Sequence, residues 1–191
     1  MTNARRLAVA VIAGLSIAAV PACSSTDGSA PTSTPQATTS TAAQPAPAGG
    51  LTITGAVQNP LTLTADRLRG YPVQTQAVTF DSSQGKQSHE YQGARLTDLI
   101  ADAHPLTDKT AKNPELRLAV LATGSDGYQA VLSWAEFSPD FAAKPILVSY
   151  TEDSKPSPSL RLVVPGDAKG GRYVDNLVNL RVVDLGTAQP K

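Results

Sequence analysis

The chain divides into two parts with different patterns of hydrophobic and polar residues, and the boundary lies at Leu51. After this residue short hydrophobic runs recur, and several alternate with polar residues in the way that predicts half-buried strands. Strands are expected at residues 51–54, 61–63, 73–80, 116–122, 128–133, 145–150, 160–164 and 177–185. Polar loops are expected at residues 81–88, 107–114, 151–159 and 167–172.

Helical signals in this part are short and lie between the predicted strands. Thr64 is a suitable N-cap for one helical turn, and Ser133 with Glu136 forms the pattern of a capping box. A further helix is predicted from about Thr97 by hydrophobic residues at spacings i, i+3, i+4 and i+7, which are Leu96, Leu99, Ile100 and Ala103. Many short strands with few short helices predict an α+β domain with a mixed β-sheet.

A hairpin is predicted across residues 116–134. The turn contains Asp126-Gly127, a pair that favours the positive φ angles of a tight turn. Two interpretations of this turn remain open. In the first, Asp126, Gly127 and Tyr128 form a plain hairpin turn with a packed tyrosine. In the second, the Asp126 carboxylate accepts a hydrogen bond from a ligand and the Tyr128 hydroxyl donates one.

Residues 1–22 have the pattern of a secretory signal peptide. Arg5 and Arg6 precede an apolar run at residues 7–20, which is shorter than the roughly 20 residues of a membrane-spanning helix. The run ends in small residues before Cys23, the one cysteine of the chain, and this ending resembles the lipobox of bacterial lipoproteins. We therefore expect a lipid on Cys23 that anchors the protein at the extracytoplasmic face of the cell membrane. The alternative is ordinary signal cleavage that leaves a free thiol.

The segment from Cys23 to residue 50 is expected to be a disordered linker. It consists almost entirely of Ser, Thr, Ala, Pro, Gly and Gln, which cannot bury enough apolar surface to offset the entropy of ordering. The folded domain is then expected at residues 51–186, followed by a short tail at residues 187–191.

Charge and residue types exclude several functions. The chain has 16 Lys and Arg residues against 16 Asp and Glu residues. The sequence contains no basic stripe of the kind that binds nucleic acid, so nucleic-acid binding is not expected. His89 and His104 have no second histidine, cysteine or acid at metal-ligand spacing, so no metal site is expected. No Gly-x-Ser-x-Gly motif is present to support a hydrolase.

Several short motifs follow one another between residues 51 and 184. They are Leu51-Thr52-Ile53-Thr54, Asn59-Pro60, Val78-Thr79-Phe80, Tyr91-Gln92-Gly93, Leu96-Thr97-Asp98-Leu99-Ile100, Asp126-Gly127-Tyr128, Leu160-Arg161-Leu162-Val163-Val164-Pro165-Gly166 and Gly171-Arg172. In this order they resemble the oxidoreductase molybdopterin-binding domain, which has the sulfite-oxidase fold. The resemblance covers the whole predicted domain.

The resemblance implies a cofactor pocket that can be compared residue by residue. Catalytic members of the family hold molybdenum through a cysteine thiolate just after the strand that matches residues 78–80. In this chain the position falls on Ser82 or a neighbour within residues 81–83, and the domain contains no cysteine. A serine hydroxyl is a poorer ligand for this metal, because soft sulfur suits it and an alkoxide requires the loss of a far less acidic proton.

The family also uses two basic residues near the carboxyl end of the domain to hold the pterin phosphate. The first matches Arg172, whereas the second falls on Asp175, whose charge would repel a phosphate. The glycine-bearing segment that contains Gly171 has two interpretations. It is either a flexible connection or an anion site built from backbone amides and the Arg172 guanidinium. Related domains lead us to expect a cleft where residues 81–83, 126–128 and 170–172 converge.

Two functions follow from these observations. The first is a lipid-anchored binding module that takes a small anionic ligand in the cleft, or a protein partner on its surface, without metal or redox catalysis. The second is a molybdopterin-dependent oxidoreductase with a non-cysteine metal shell. The missing thiolate and Asp175 favour the first.

Overall fold

In the computed structural model, residues 50–188 are described and form nine strands and three short α-helices. The strands are β1 Leu51–Gly55, β2 Leu61–Leu63, β3 Val73–Ser82, β4 Gly85–Arg95, β5 Leu118–Gly124, β6 Gln129–Ser133, β7 Leu147–Glu152, β8 Lys155–Val163 and β9 Leu177–Asp184. The α-helices are α1 Ala65–Arg69, α2 Leu96–Asp102 and α3 Trp134–Phe137. Single 3₁₀ turns occur at Pro114–Arg117, Gly170–Arg172 and Leu185–Ala188.

The strands form two sheets, where the sequence predicted one. The five-stranded sheet has the order β2-β1-β9-β5-β6 and is mixed, because β1 and β9 are parallel and the other pairs are antiparallel. The four-stranded sheet has the order β3-β4-β7-β8 and is antiparallel throughout. The predicted α+β class with a mixed sheet is thus confirmed, and a second sheet is added to it.

One hydrophobic cluster contains buried residues of both sheets. Ile53 and Leu180 of the five-stranded sheet belong to it, as do Tyr91 and Leu162 of the four-stranded sheet, and all four are fully buried. Burial of apolar side chains at about 25 cal/mol per Å² is the main favourable term in folding. The two sheets are therefore stabilised by a shared core.

The predicted loop at residues 81–88 is wrong. β3 and β4 form a long hairpin whose register runs from Val73 opposite Ala94 to Ser82 opposite Gly85. The distal half of the hairpin carries exposed polar side chains, so hydrophobic alternation gave no signal for it. In this half of the hairpin, β3 and β4 are defined by their backbone pairing, which continues to Ser82 and Gly85 at the turn.

The predicted loop at residues 151–159 is wrong for a similar reason. β7 and β8 form a hairpin whose turn residues, Asp153 and Ser154, have φ angles of 48° and 62°. Pro156 and Pro158 lie in β8, and they are tolerated there because β8 is an edge strand of its sheet. The prolines that indicated a loop in the sequence therefore mark a sheet edge.

The central hairpin and two helix starts were predicted correctly. Gly127 has a φ of +85° in the turn between β5 and β6. The Glu136 carboxylate accepts a hydrogen bond from the Ser133 amide at 3.1 Å, and the Thr64 hydroxyl accepts one from the Arg67 amide at 3.3 Å. These local motifs set where α1 and α3 begin.

The predicted signal peptide, Cys23, most of the linker and the last residues of the tail lie outside the described residues. Within residues 50–188, no helix has the length and apolar character that would let it cross a membrane.

Candidate functional site

A cleft with a volume of about 740 Å³ opens beside the ends of β3, β4, β7 and β8. Its walls include Ser82 and Lys169 as well as residues from both hairpins of the four-stranded sheet. The segment before the Gly170–Arg172 turn is fixed against β3, because the Asp81 amide donates a hydrogen bond to the Ala168 carbonyl oxygen at 2.9 Å. Two of the three segments that the family resemblance placed around a cleft therefore contribute to its lining, through residues 81–83 and 170–171.

Gly170 is required for this close approach. A Cβ atom at this position would lie 2.8 Å from the Phe80 ring, closer than real Cβ contacts allow. The same ring packs on Tyr173, with the two ring centroids 4.4 Å apart. Aromatic packing and a glycine backbone thus close one wall of the cleft.

Ser82 lines the cleft, but its hydroxyl is engaged within the β3–β4 turn. The oxygen donates a hydrogen bond to the Gly85 carbonyl oxygen at 3.1 Å and accepts one from the Gln84 amide at 3.1 Å. A metal at this position would have to compete with both bonds. Ser82, one of the residues that the resemblance matched to the position of a metal-binding thiolate, thus has a structural role in a polar turn.

The turn at residues 126–128 does not line the cleft, but it contacts the backbone of a segment that does. The Tyr128 hydroxyl donates a hydrogen bond of 2.5 Å to the carbonyl oxygen of Gly171. The Asp126 carboxylate accepts a hydrogen bond from the Tyr128 amide at 2.9 Å, as in an Asx turn. Gly127 supplies the positive φ angle of this turn. The geometry therefore gives these three residues a positioning role for the segment that contains Gly171.

Arg172 also lies outside the cleft lining, which corrects its expected place in an open anion site. Its guanidinium forms a bidentate pair with Asp167 at 2.7 and 2.8 Å and a further ion pair with Glu136 at 2.7 Å. The hydrogen bond to Asp167 is the main cause that raises the Arg172 pKa, against a smaller opposing effect of burial. The donors of Arg172 are thus directed at two carboxylates of the same chain.

The sequence analysis missed Arg161, which supplies a guanidinium to the cleft. This side chain donates hydrogen bonds to the Asp175 carboxylate and to the Tyr91 hydroxyl. Its Nη1 also lies 3.3 Å from a Glu152 carboxylate oxygen. Burial disfavours the charged guanidinium, but the hydrogen bond and charge of Asp175, together with the nearby Tyr91 and Glu152, raise the Arg161 pKa above its ordinary value. Asp175, which the sequence suggested would repel an anion, instead neutralises this cation.

Alternation in β8 contained the signal for Arg161. Leu160 and Leu162 are buried, so the intervening Arg161 must point to the opposite face of the strand. The strand pattern could not show which residues the Arg161 side chain contacts on that face.

Two tyrosines lie beside Arg161 and contribute polar groups to the same region. Burial raises the pKa of Tyr91 above its ordinary value, and burial with the nearby Asp167 charge raises the pKa of Tyr173 to about 12. The Tyr173 hydroxyl is buried and has no hydrogen-bond partner within residues 50–188. A buried unpaired hydroxyl costs roughly 1–3 kcal/mol, which a bound molecule or water would recover.

The cleft has a mixed charge. Its lining contains the carboxylates of Asp81, Glu152 and Asp175 and the cations Arg161 and Lys169. Arg161 is paired, whereas Lys169 forms no ion pair with another residue of the described range. Lys169 is therefore the cation of the lining that is available to a ligand.

The residues of the cleft do not fit a thiolate-held molybdopterin. The described residues 50–188 offer no sulfur donor, because Cys23 is the chain's one cysteine and lies outside this range. The Ser82 hydroxyl is bonded within its turn, and three carboxylates face two cations where a phosphate would have to bind. No step through this cofactor follows from the described residues.

Comparisons with known proteins relate the chain to others by fold. No family model matches the sequence, and no curated protein matches it. Twenty-eight chains of solved structures match, among them the sulfane dehydrogenase SoxCD from Paracoccus pantotrophus, with a TM-score of 0.58 and 20% sequence identity. The match covers 71% of this chain and 38% of the dehydrogenase chain. The likeness confirms the expected sulfite-oxidase-type fold, and at this identity it shows the fold alone.

Proposed function

We propose that this protein is a lipid-anchored, extracytoplasmic binding module that holds a small polar ligand with an anionic group and performs no redox catalysis. The observation that carries the proposal is the cleft of about 740 Å³, whose size is in the usual range of small-molecule sites. The cleft lies beside the segments that correspond to the cofactor site of the family that the sequence resembles. The Ser82 hydroxyl in this region is already hydrogen-bonded within the β3–β4 turn.

The ligand's chemistry follows from the groups that are free in the cleft. The Lys169 ammonium is available to an anionic group, whereas the Arg161 guanidinium is held by Asp175 and Glu152. The surplus of carboxylates disfavours a highly charged anion and suits a ligand that also carries hydrogen-bond donors. A small monoanion or zwitterion fits this balance better than a nucleotide-like phosphate ester.

The anchoring part of the proposal rests on the sequence. The signal-peptide pattern ends at Cys23, and residues 24–50 have the composition of a linker between a membrane anchor and a domain. A protein partner bound at the domain surface is the other form that a binding function could take.

The anion part is tested by isothermal titration with acetate, a small monoanion, and with glycine, a small zwitterion, on the full-length wild-type protein. Lys169→Gln should weaken binding by about 3- to 10-fold, the effect of losing one partly exposed charged contact. Lys109→Gln is the matched control, because Lys109 is exposed and does not line the cleft, and it should bind as the wild type does. Equal affinities of Lys169→Gln and the wild type, or no binding to the wild type, would contradict the anion site.

The second candidate is a molybdopterin-dependent oxidoreductase with a non-cysteine metal shell, and the observation behind it is the fold shared with a dehydrogenase. Elemental analysis and pterin fluorescence of protein purified from its native host distinguish the two functions. Substoichiometric molybdenum is expected for the binding module. One molybdenum and one pterin per chain would overturn the proposal and establish the cofactor.

A further inference from the structure

A histidine and two carboxylates meet at the edge of the cleft, although they are far apart in the sequence. Nδ1 of His89 on β4 lies 2.9 Å from a carboxylate oxygen of Asp153 and 3.2 Å from one of Glu152. One possible ligand atom from each of the three residues lies within 4.8 Å of the other two. His89 and Glu152 line the cleft, and Asp153 is more exposed beside them.

Both carboxylates present an oxygen to His89 and are held by further hydrogen bonds. In Asp153 the other oxygen and the amide make these bonds, whereas in Glu152 the oxygen that faces His89, Oε1, also accepts from Tyr91 and Arg161. One Asp153 carboxylate oxygen accepts a hydrogen bond from the Glu90 amide at 2.9 Å, and the Asp153 amide donates to the Glu90 carbonyl oxygen at 2.8 Å. The Tyr91 hydroxyl donates to Glu152 Oε1 at 3.0 Å. Such outer bonds orient metal-binding carboxylates and keep them in a fixed geometry.

The distances suit a metal shell. Around a tetrahedral transition metal with bonds of about 2.0–2.2 Å, neighbouring ligand atoms lie roughly 3.3–3.6 Å apart, and the two distances from His89 Nδ1 come within about 0.5 Å of this range. An imidazole nitrogen with two carboxylate oxygens is a donor set for a divalent first-row metal such as Zn²⁺, with open positions for water or a ligand.

We propose that His89, Glu152 and Asp153 form a site for a divalent transition metal of the Zn²⁺ type at the edge of the cleft. Metal binding at Nδ1 would leave the imidazole proton on Nε2. Arg161 opposes a cation here, because its Nη1 lies 3.3 Å from Glu152 Oε1, but Asp175 offsets this charge. The site goes beyond the proposed ligand function and does not depend on it.

The test uses Zn²⁺ alone with untagged full-length protein at about pH 7.5. Isothermal titration and elemental analysis after dialysis should give one zinc per wild-type chain. His89→Ala should lower the affinity at least about 10-fold, since even outer-shell changes cost that much at metal sites. His104→Ala is the matched control, because His104 is the other histidine of the chain and is exposed, and it should bind as the wild type does.

Asp153→Asn provides a second variant that keeps the fold. Its amide oxygen can still accept from the Glu90 amide, and asparagine tolerates the positive φ of 48° at this position. Zinc affinity should again fall at least about 10-fold, while Lys169→Gln keeps full zinc binding and so separates this site from the anion site. No zinc on the wild type, or equal zinc binding by the wild type, His89→Ala and Asp153→Asn, would overturn the proposal.

Discussion

The Arg161 guanidinium and the Asp175 carboxylate form an ion pair at the wall of the cleft, across 14 positions of sequence. Arg161 also contacts the Tyr91 hydroxyl and Glu152, so one side chain joins β8, β4, β7 and the segment before β9. The pair explains how an acidic residue is accommodated where the resembled family has a basic one. It also makes Arg161 the residue on which the polar wall depends.

Replacing Arg161 with Met should destabilise the protein, because the substitution keeps the apolar stem and leaves Glu152, Asp175 and Tyr91 without their cation. The expected loss is about 1–3 kcal/mol of unfolding free energy, measured by urea denaturation. Arg181→Met is the control, because Arg181 is exposed on β9, and it should change stability by less than about 0.5 kcal/mol. Equal stability of the two variants would mean that the polar wall contributes nothing.

Arg172→Ala should reduce stability rather than act only on ligand binding. The guanidinium holds Asp167 and Glu136, and Lys144 lies farther from both, at 3.6 and 3.9 Å. We expect a loss of about 1–2 kcal/mol in thermal or urea unfolding, with Lys144 retaining part of the interaction. Arg172→Lys should lie between the wild type and Arg172→Ala, because lysine cannot form the bidentate pair. A fully stable Arg172→Ala variant would show that these ion pairs are weak.

The pairing of Asp167 predicts a pH dependence of stability. The hydrogen bond from Arg172 is the main cause that lowers the Asp167 pKa below its ordinary value of 3.8. A carboxylate whose pKa is lower in the folded state stabilises the fold above the unfolded-state pKa and loses this contribution as the pH falls through the folded-state value. The difference in unfolding free energy between the wild type and Asp167→Asn should thus be largest near neutral pH and shrink below about pH 4. Urea titrations across this range measure it, and a constant difference would contradict the assignment.

Gly127→Val should destabilise the β5–β6 turn through the backbone alone. The φ of Gly127 is +85°, and a Cβ atom there would meet nothing within 4 Å, so steric contact adds no cost. The expected loss is about 1–3 kcal/mol, seen as a lower melting temperature. Gly127→Asn should lose much less, because asparagine tolerates positive φ. If both variants melted like the wild type, backbone strain at this turn would not limit stability.

Cys23→Ala should release the protein from the membrane fraction, because the predicted lipid attachment uses this thiol. The expected result is a shift of the protein from the detergent-extracted to the soluble fraction, measured by immunoblot after a salt wash. Ser24→Ala is the neighbouring control and should stay with the membrane. A Cys23→Ala protein that still pellets with membranes would refute the lipoprotein interpretation.

Local chemistry was readable from the sequence, because it involves neighbours along the chain. Alternation located β1, β6 and β9, and a continuous apolar run located β5. The Asp126-Gly127 pair located a hairpin turn, and Thr64 and Ser133 located helix starts. The absence of cysteine from the domain was equally plain. Each of these signals depends on spacings of four residues or fewer, and the folded chain preserves them.

Only the tertiary structure decided which polar groups meet. His89 and Asp153 are 64 positions apart, and Tyr91 and Arg161 are 70 apart, so no local pattern relates them. The register of β4 against β7 and of β7 against β8 brings them together, and exposed polar strands leave that register unmarked by hydrophobic alternation. For the same reason Arg172 could be matched by sequence to an anion site, although its position in the fold directs its donors at Asp167 and Glu136.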